Sequence, residues 1–442
     1  MSDARRSAPL LRWTGACDAL SDLDRRALFD RTSMMDPAVG ERTARIVSRV
    51  RRDGDDALRA LALELDGVKL DELEVPRRRW QSALDRLAPE LRRALERSAE
   101  NVAHVHRAFV PTPQETESEP GIVVGRRPDP LGRVGVYAPG GRAAYPSSVL
   151  MGIVPARVAG VGEIVLCSPP SLESGGPSEV VLAAAALAGA DRVFALGGAG
   201  AIAAMAFGTA SVPRVDRIVG PGNAYVAEAK LQVASVVAID SPAGPSELLV
   251  LCDHSADPAL VAREMLAQAE HDPLAAVVAV TTSVRSARAI TEALEALLPT
   301  QPRAEISRAA LAAQGAVLWA PSVDDAIEFA NAYAAEHLLL LTDRRDEALA
   351  RLRNAGTVFV GAAASVAFGD YMTGANHVLP TGGLARSYSG LSTLDFVRWT
   401  TYQRVSPAAA ARLAEDVGIF ADAERLPGHA IAARAWRAGA AR

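Results

Sequence analysis

Gln268 and His271, within Ala267-Gln-Ala-Glu-His-Asp-Pro273, are the residues most suited by type and spacing to chemistry. On a helix a spacing of three puts both side chains on one face, where a carboxamide oxygen and an imidazole nitrogen can begin a metal site. Pro273 predicts that the helix stops there, with its end facing a loop. Such a pair needs further ligands, and with seven histidines in the chain each can be weighed. His104 and His106, two apart in a helical stretch, cannot share a face and are expected at the surface. His254 lies in the polar loop Asp253-His254-Ser255 and reads as structural. Glu336 and His337 stand at a helix–strand junction, where adjacent residues can enter one cleft. A carboxylate beside an imidazole is an acid–base pair that works near neutrality, and a solvated helix end is the plainer alternative. Asp370, in Gly369-Asp-Tyr371, offers a hard oxygen ligand or a turn residue. Glu424 and His429 flank Pro427-Gly428, where a lone histidine is ordinarily exposed. Gln268, His271, Asp370 and His429 together would make an oxygen/nitrogen set without thiolate, suited to Zn²⁺ or Mn²⁺.

Three glycine-bearing loops follow short β-branched runs. Gly198-Ala-Gly200-Ala-Ile-Ala203 mimics the dinucleotide fingerprint, in which glycines let a pyrophosphate approach a helix N-terminus. Tight strand–helix packing explains the same spacing in an Ala/Gly-rich chain. Tyr137-Ala-Pro-Gly-Gly141 adds a tyrosine able to stack on a ring. Asn223, in Gly220-Pro-Gly-Asn223, is placed to cap a helix beginning near Ala224. Three such loops in one region favour a cleft.

The elements that must position these groups divide by texture. Residues 1–110 read as helical, including 88–109, and 111–120 as a polar, Pro-flanked connector. Short runs at 122–124, 133–137, 163–167 and 192–196 then alternate with Ala-rich stretches, the signature of α/β layering with parallel strands. A second such region spans about 248–360, and the last fifty residues read as helical. Across 442 residues, 49% hydrophobic and 22% charged, the composition is that of a globular protein with two or three domains. A net charge of -5 provides no basic field for nucleic acid. Cys17, Cys167 and Cys252 are odd in number and far apart, which fits a reducing compartment. The N-terminus does not lead into an apolar signal region, and the run 180–190 is too short to span a bilayer. A cytoplasmic protein with no membrane partner is the expectation.

The ordered set Tyr137-Ala-Pro-Gly-Gly141, Gly220-Pro-Gly-Asn-Ala-Tyr225, Ala243-Gly-Pro-Ser-Glu247, Gln268-Ala-Glu-His271, Ala335-Glu-His337, Gly369-Asp-Tyr371, Asn376-His-Val-Leu-Pro380 and Ala423-Glu-Arg-Leu426 with His429 strongly resembles the histidinol dehydrogenase family. The likeness runs from about residue 30 to the C-terminus. It implies oxidation of L-histidinol to L-histidine through an aldehyde, in two NAD-dependent hydride transfers. By resemblance Gln268, His271, Asp370 and His429 bind zinc, His429 crossing from the other subunit of a homodimer. His337 matches the general base and Glu336 the residue that activates water. Ser246, His377 and Glu424 match substrate contacts, alongside Gln268, His271, His337, Asp370 and His429. Tyr137 and Asn223 match cofactor contacts. One position departs: the family's Gly-Gly-Ala-Gln ends here in Gly200, which removes a cofactor hydrogen bond worth about 0.5–1.5 kcal/mol.

The expected architecture is α/β and multi-domain, with two incomplete Rossmann-like parallel sheets and small N- and C-terminal helical elements. Residues 1–31 form an N-terminal arm, 32–136 with 246–391 the zinc and substrate domain, 137–245 an inserted NAD-binding domain, and 392–442 an element crossing to the second subunit. Gly200 leaves room for a related dehydrogenase acting on another polar amino or sulfonated alcohol. A zinc hydrolase using Glu336, or a scaffold with a decayed site, are the rivals from other classes.

Overall fold

The computed structural model describes residues 9–31, 37–140 and 144–437. Gly141 of the tyrosine loop, the first eight residues of the expected arm and the boundary at 32 lie outside the described residues. The chain divides into a large compact unit, 1–109 with 131–396, and a small one, 110–130 with 397–442.

The large unit contains two parallel sheets. The six-stranded sheet runs in the order Trp13–Ala16, Gly315–Trp319, Ala276–Thr281, Glu247–Cys252, His337–Leu341, Thr357–Val360. The five-stranded sheet runs Arg192–Ala195, Glu163–Ser168, Arg133–Tyr137, Arg217–Val219, Ala238–Ile239. Apart from the added edge strand Trp13–Ala16, in each the chain starts at a central strand, winds two strands outward, then returns to the other side of that strand. This 3-2-1-4-5 order is the Rossmann order without its sixth strand, as expected from the alternation of strand and helix texture. Central strands such as Glu247–Cys252 and Ala276–Thr281 are buried along their whole length. Helices cover both faces of such sheets, so their strands read as continuous apolar runs instead of alternating ones.

The region expected to be helical also supplies a strand. Trp13–Ala16 pairs in parallel with Gly315–Trp319 at the sheet edge, a partner 300 residues away that local pattern cannot announce. The helical run Pro37–Asp66 breaks at Gly54 (φ 56°, ψ -130°). The chain folds back there, and Arg49 clasps Glu64 through two bonds of 2.9 Å.

In the small unit the expected polar connector is instead a strand. Gln114–Glu119 pairs antiparallel with Ile122–Pro130, so the run 122–124 expected among the parallel strands is antiparallel. Ile122–Pro130 pairs in turn with Val397–Val405, a strand within the last fifty residues expected to be helical. All six residues of Gln114–Glu119 are exposed, so no apolar alternation marks it as β. Helices Pro407–Ala423 and Pro427–Arg434 follow, with Pro427 in the first turn of the second. Among the described residues no helix is long and apolar enough to cross a membrane.

His106 corrects the expectation of a surface position. It falls on the buried stripe of helix Pro89–Ala108 with Leu95, Ser98 and Val102. It is 1% exposed, with neither ring nitrogen hydrogen-bonded. His104 two residues away is exposed, as expected. Burial pushes the His106 pKa from 6.5 down to about 4, so the native state buries it neutral while the unfolded chain takes up a proton below pH 6.5. Its contribution is therefore intact above pH 6.5 and lost as pH falls toward 4. Denaturant titrations of wild type and His106→Leu should show that the wild type alone loses about 3 kcal/mol through this window. Parallel curves would contradict the assignment.

Candidate active site

The acid–base residues gather at the amino ends of the six-stranded sheet. Glu247 opens its strand, and His337 opens the neighbouring one, paired in register with Leu248. Glu336 precedes it, after helix Val323–Tyr333 ends in a left-handed Ala334 (φ 54°). The sharp reversal at Ala334 turns the chain from helix into strand, so that Glu336 and His337 both face inward. They are 6% and 4% exposed, which removes the solvated-helix-end alternative.

Their hydrogen bonds fix their roles. His337 Nδ1 lies 2.9 Å from the Glu247 carbonyl oxygen. A carbonyl only accepts, so Nδ1 carries the proton and donates it. Nε2 is left buried and without a hydrogen bond, 3.6 Å from Asp370 Oδ1. Glu336 Oε2 accepts the Glu247 backbone N–H at 2.8 Å and lies 3.4 Å from His337 Nδ1. Burial works against a protonated His337, but the Glu336 carboxylate, reinforced by Asp370, outweighs it and pushes the pKa up to about 10.

Asp370 sits in helix Val366–Tyr371, whose first N–H donates to Glu264 at 3.1 Å. Glu264 belongs to helix Pro258–Ala269, one turn before Gln268. That helix runs back to the amino edge, so Gln268 and His271 arrive on the same side of the sheet as Glu336. The segment after Asp370 is pinned by Ser98 and Asn101, which donate to the carbonyls of Tyr371 (2.6 Å) and Met372 (2.7 Å). Burial raises the Asp370 carboxyl, but neighbouring His337, His377 and His271 outweigh it and hold the group below the usual carboxylate range. His271 is exposed, just past the end of helix Pro258–Ala269. Gln268 is 2% exposed. His377 Nδ1 donates to the Asp370 carbonyl at 2.8 Å, and burial keeps the ring's pKa below its ordinary value. Ser246, half-buried, precedes Glu247 at this edge. Glu424 and His429 lie in the small unit and are exposed, His429 in helix Pro427–Arg434.

A buried carboxamide, an ionised carboxylate and an exposed imidazole, beside the unpartnered Nε2 of His337, fit an incomplete oxygen/nitrogen metal site. A different group, Asp253, His254 and Asp343, has ligand atoms within 4.8 Å of one another. It lies at the opposite, carboxyl ends of the same strands. Asp253 is already engaged there by Ser255 and by the Asp343 N–H.

The five-stranded sheet uses its carboxyl ends. A cleft of about 780 Å³ opens there, lined by Tyr137, Pro169, Gly197, Gly198, Gly200 and Asn223 among others. Tyr137 and Asn223 flank the point where strand order reverses, the usual ligand crevice of an open α/β sheet. Tyr137 is 3% exposed, and its hydroxyl accepts the Gly198 N–H at 3.0 Å. It therefore shapes the glycine loop and presents little ring face for stacking. Asn223 caps helix Ala224–Val233, accepting from Tyr225 and Val226 N–H. Gly200 lies inside helix Gly198–Phe207. A Cβ there would stand 3.3 Å from Leu61 and 3.6 Å from Leu58, so the glycine serves close helix packing. Asp66, which burial pushes up to about 6, and Arg42, Arg45 and Arg49 also line the cleft. No motif singled them out, and only folding brings the Pro37–Asp66 run over the loops. Equally unmarked was Arg31, buried against the side chain of Glu247, the last residue of the motif Ala243-Gly-Pro-Ser-Glu247, behind the acid–base edge.

An α/β enzyme with a cleft at the carboxyl edge of one parallel sheet and a buried acid–base cluster at the amino edge of the other is the class this geometry defines. Residues 29–437 match the family model for histidinol dehydrogenase, and the chain belongs to that family. It is 49% identical to a histidinol dehydrogenase of Halobacterium salinarum (93% of this chain, 97% of the relative). It is 45% identical to one of Methanosarcina mazei (94% and 96%). Its fold matches the crystal structure of histidinol dehydrogenase from Elizabethkingia anophelis with a TM-score of 0.91 at 32% identity, covering 97% of this chain and 98% of that one.

Tyr137→Phe should free the Gly198 N–H and loosen the glycine loop, costing about 1 kcal/mol. A lower melting temperature and severalfold weaker NAD binding, by calorimetry, are expected; unchanged NAD affinity would remove Tyr137 from the cofactor cleft.

Proposed function

We propose that this chain oxidises L-histidinol to L-histidine through L-histidinal, reducing two NAD, as the closing step of histidine biosynthesis. The observation that carries the reading is His337: its Nδ1–H is committed to the Glu247 carbonyl, and its Nε2 is buried, unpartnered and beside Asp370.

Gln268, His271 and Asp370 would hold zinc, with His429 contributed by a second copy of the chain in a homodimer. Zinc would supply an anchor for the substrate's amino and imidazole nitrogens, orienting the carbinol carbon. NAD, held in the Tyr137–Asn223 cleft, would supply the hydride acceptor. His337 Nε2 takes the hydroxyl proton in the first oxidation. Were Asp370 engaged as a ligand, one of the two carboxylates that hold a proton on His337 would be withdrawn, and the ring would be a better-matched base. Glu336 draws a proton from the water that adds to the aldehyde, and His337 serves again when the hydrate is oxidised. Ser246, His377 and Glu424 bind polar groups of the substrate. In this reading 137–245 is the cofactor lobe and 32–136 with 246–391 the substrate lobe. Residues 392–442 then form the element that reaches the second subunit, and the enzyme works in the cytoplasm.

The zinc-loaded enzyme should form two NADH per histidinol consumed, with histidine as product. A rate no better than that on other amino or sulfonated alcohols would overturn the substrate assignment. His337→Asn should lower kcat about 10²–10⁴-fold with zinc content unchanged, and loss of zinc would contradict the role assigned to His337. Gly200→Gln, which must edge past Leu61 and Leu58, should tighten NAD binding up to about tenfold. An unchanged dissociation constant would mean that the cleft does not use this position.

A further inference from the structure

Behind the catalytic pair lies an ion pair with no part in the proposed chemistry. Arg31 Nε donates to Glu247 Oε1 at 2.9 Å, with side chains only 3% and 2% exposed. A second guanidinium nitrogen donates to the Tyr333 carbonyl at 2.8 Å, and the guanidinium lies 3.6 Å above the Tyr333 ring. Glu247 Oε1 also accepts the Gly382 N–H at 2.6 Å, and Oε2 the Glu336 N–H at 3.4 Å. The backbone of the same residue gives its N–H to the Glu336 carboxylate and its carbonyl to His337 Nδ1. Glu336 and Glu247 thus hold each other reciprocally, backbone to side chain in both directions. One residue fixes both members of the acid–base pair, and Arg31 fixes that residue.

A buried ion pair is a weak source of stability, since removing two charges from water costs as much as their attraction returns. This one also leaves Arg31 Nη1 without a partner, so apolar side chains would fill the space at no loss. Placement is where the pair has effect. A Glu247 free to turn would let its carbonyl leave His337 Nδ1 and its N–H leave Glu336.

We propose that Arg31 and Glu247 are positioning residues that hold Glu336 and His337 in their working geometry. The inference rests on the catalytic roles given to that pair above.

The double variant Arg31→Met/Glu247→Gln, which leaves no lone charge buried, tests it in the zinc-loaded enzyme. Expected is a kcat lower by about tenfold to a hundredfold, the effect of a small misplacement, with KM for histidinol, NAD affinity and zinc content within about twofold of wild type. The downfield ring Nδ1–H proton of His337, followed by NMR, should exchange slowly with solvent in wild type and at least about tenfold faster in the variant. Arg31→Lys keeps the charge but not the fork that reaches Glu247 and Tyr333 together. It should fold even if the double variant does not, and should lower kcat severalfold. A folded variant with unchanged kcat and unchanged proton exchange overturns the proposal. Wild type inactive on histidinol would overturn the substrate reading instead, and the proton-exchange measurement, which needs no substrate, would still decide the positioning role.

Discussion

The structure depends most on keeping ionisable groups out of water at the amino edge of one sheet. Arg31, Glu247, Glu336 and His337 are each less than a tenth exposed. Isolated, any one of them would neutralise or open its surroundings. They stay because each is paired, and the pairing draws in segments near residues 31, 247, 333–337, 370 and 382. The cluster therefore closes the catalytic lobe as well as equipping it.

The two sheets share a winding order and put opposite edges to use. In the five-stranded sheet the cleft lies at the carboxyl ends, where strand order reverses and loops diverge. In the six-stranded sheet the carboxyl ends carry the Asp253–His254–Asp343 group, and the acid–base cluster sits at the amino ends. Helix Pro258–Ala269 makes this possible by carrying Gln268 and His271 back to the start of the next strand. The Asp370 and His377 segment is tied in by Asn376, which donates to the Met151 carbonyl at 2.8 Å, in helix Pro146–Ala159 beside the five-stranded sheet. A hydrogen bond thus links the segment beside the acid–base cluster to a helix of the five-stranded sheet.

Much of the fold was legible because its strands are short, β-branched and separated by alanine-rich helices. What escaped was what lacked an apolar signature of its own. Gln114–Glu119 is fully exposed, and Trp13–Ala16 is too short to show a period. His106 was misplaced because its spacing from His104 was weighed, but not its place on the stripe through Leu95 and Val102. The glycine loop read correctly as a strand-to-helix turn. The purpose of Gly200 appeared only with Leu58 and Leu61 against it.

By itself the sequence determined which side chains are chemically able: a carboxamide and imidazole three apart, a carboxylate beside an imidazole, and glycine loops after strands. Those are local facts of residue type and spacing, and the ordered motifs tied them to one family. Tertiary structure decided which nitrogen of His337 is free, because the carbonyl that commits the other belongs to a residue 90 positions away. It decided the protonation preferences of His337, Asp370 and His377, which follow from burial and neighbouring charge. It also placed Arg31 and Glu247 behind the site. Desolvation and hydrogen bonding act over a few ångströms in space, and a chain read in order has no such distances in it.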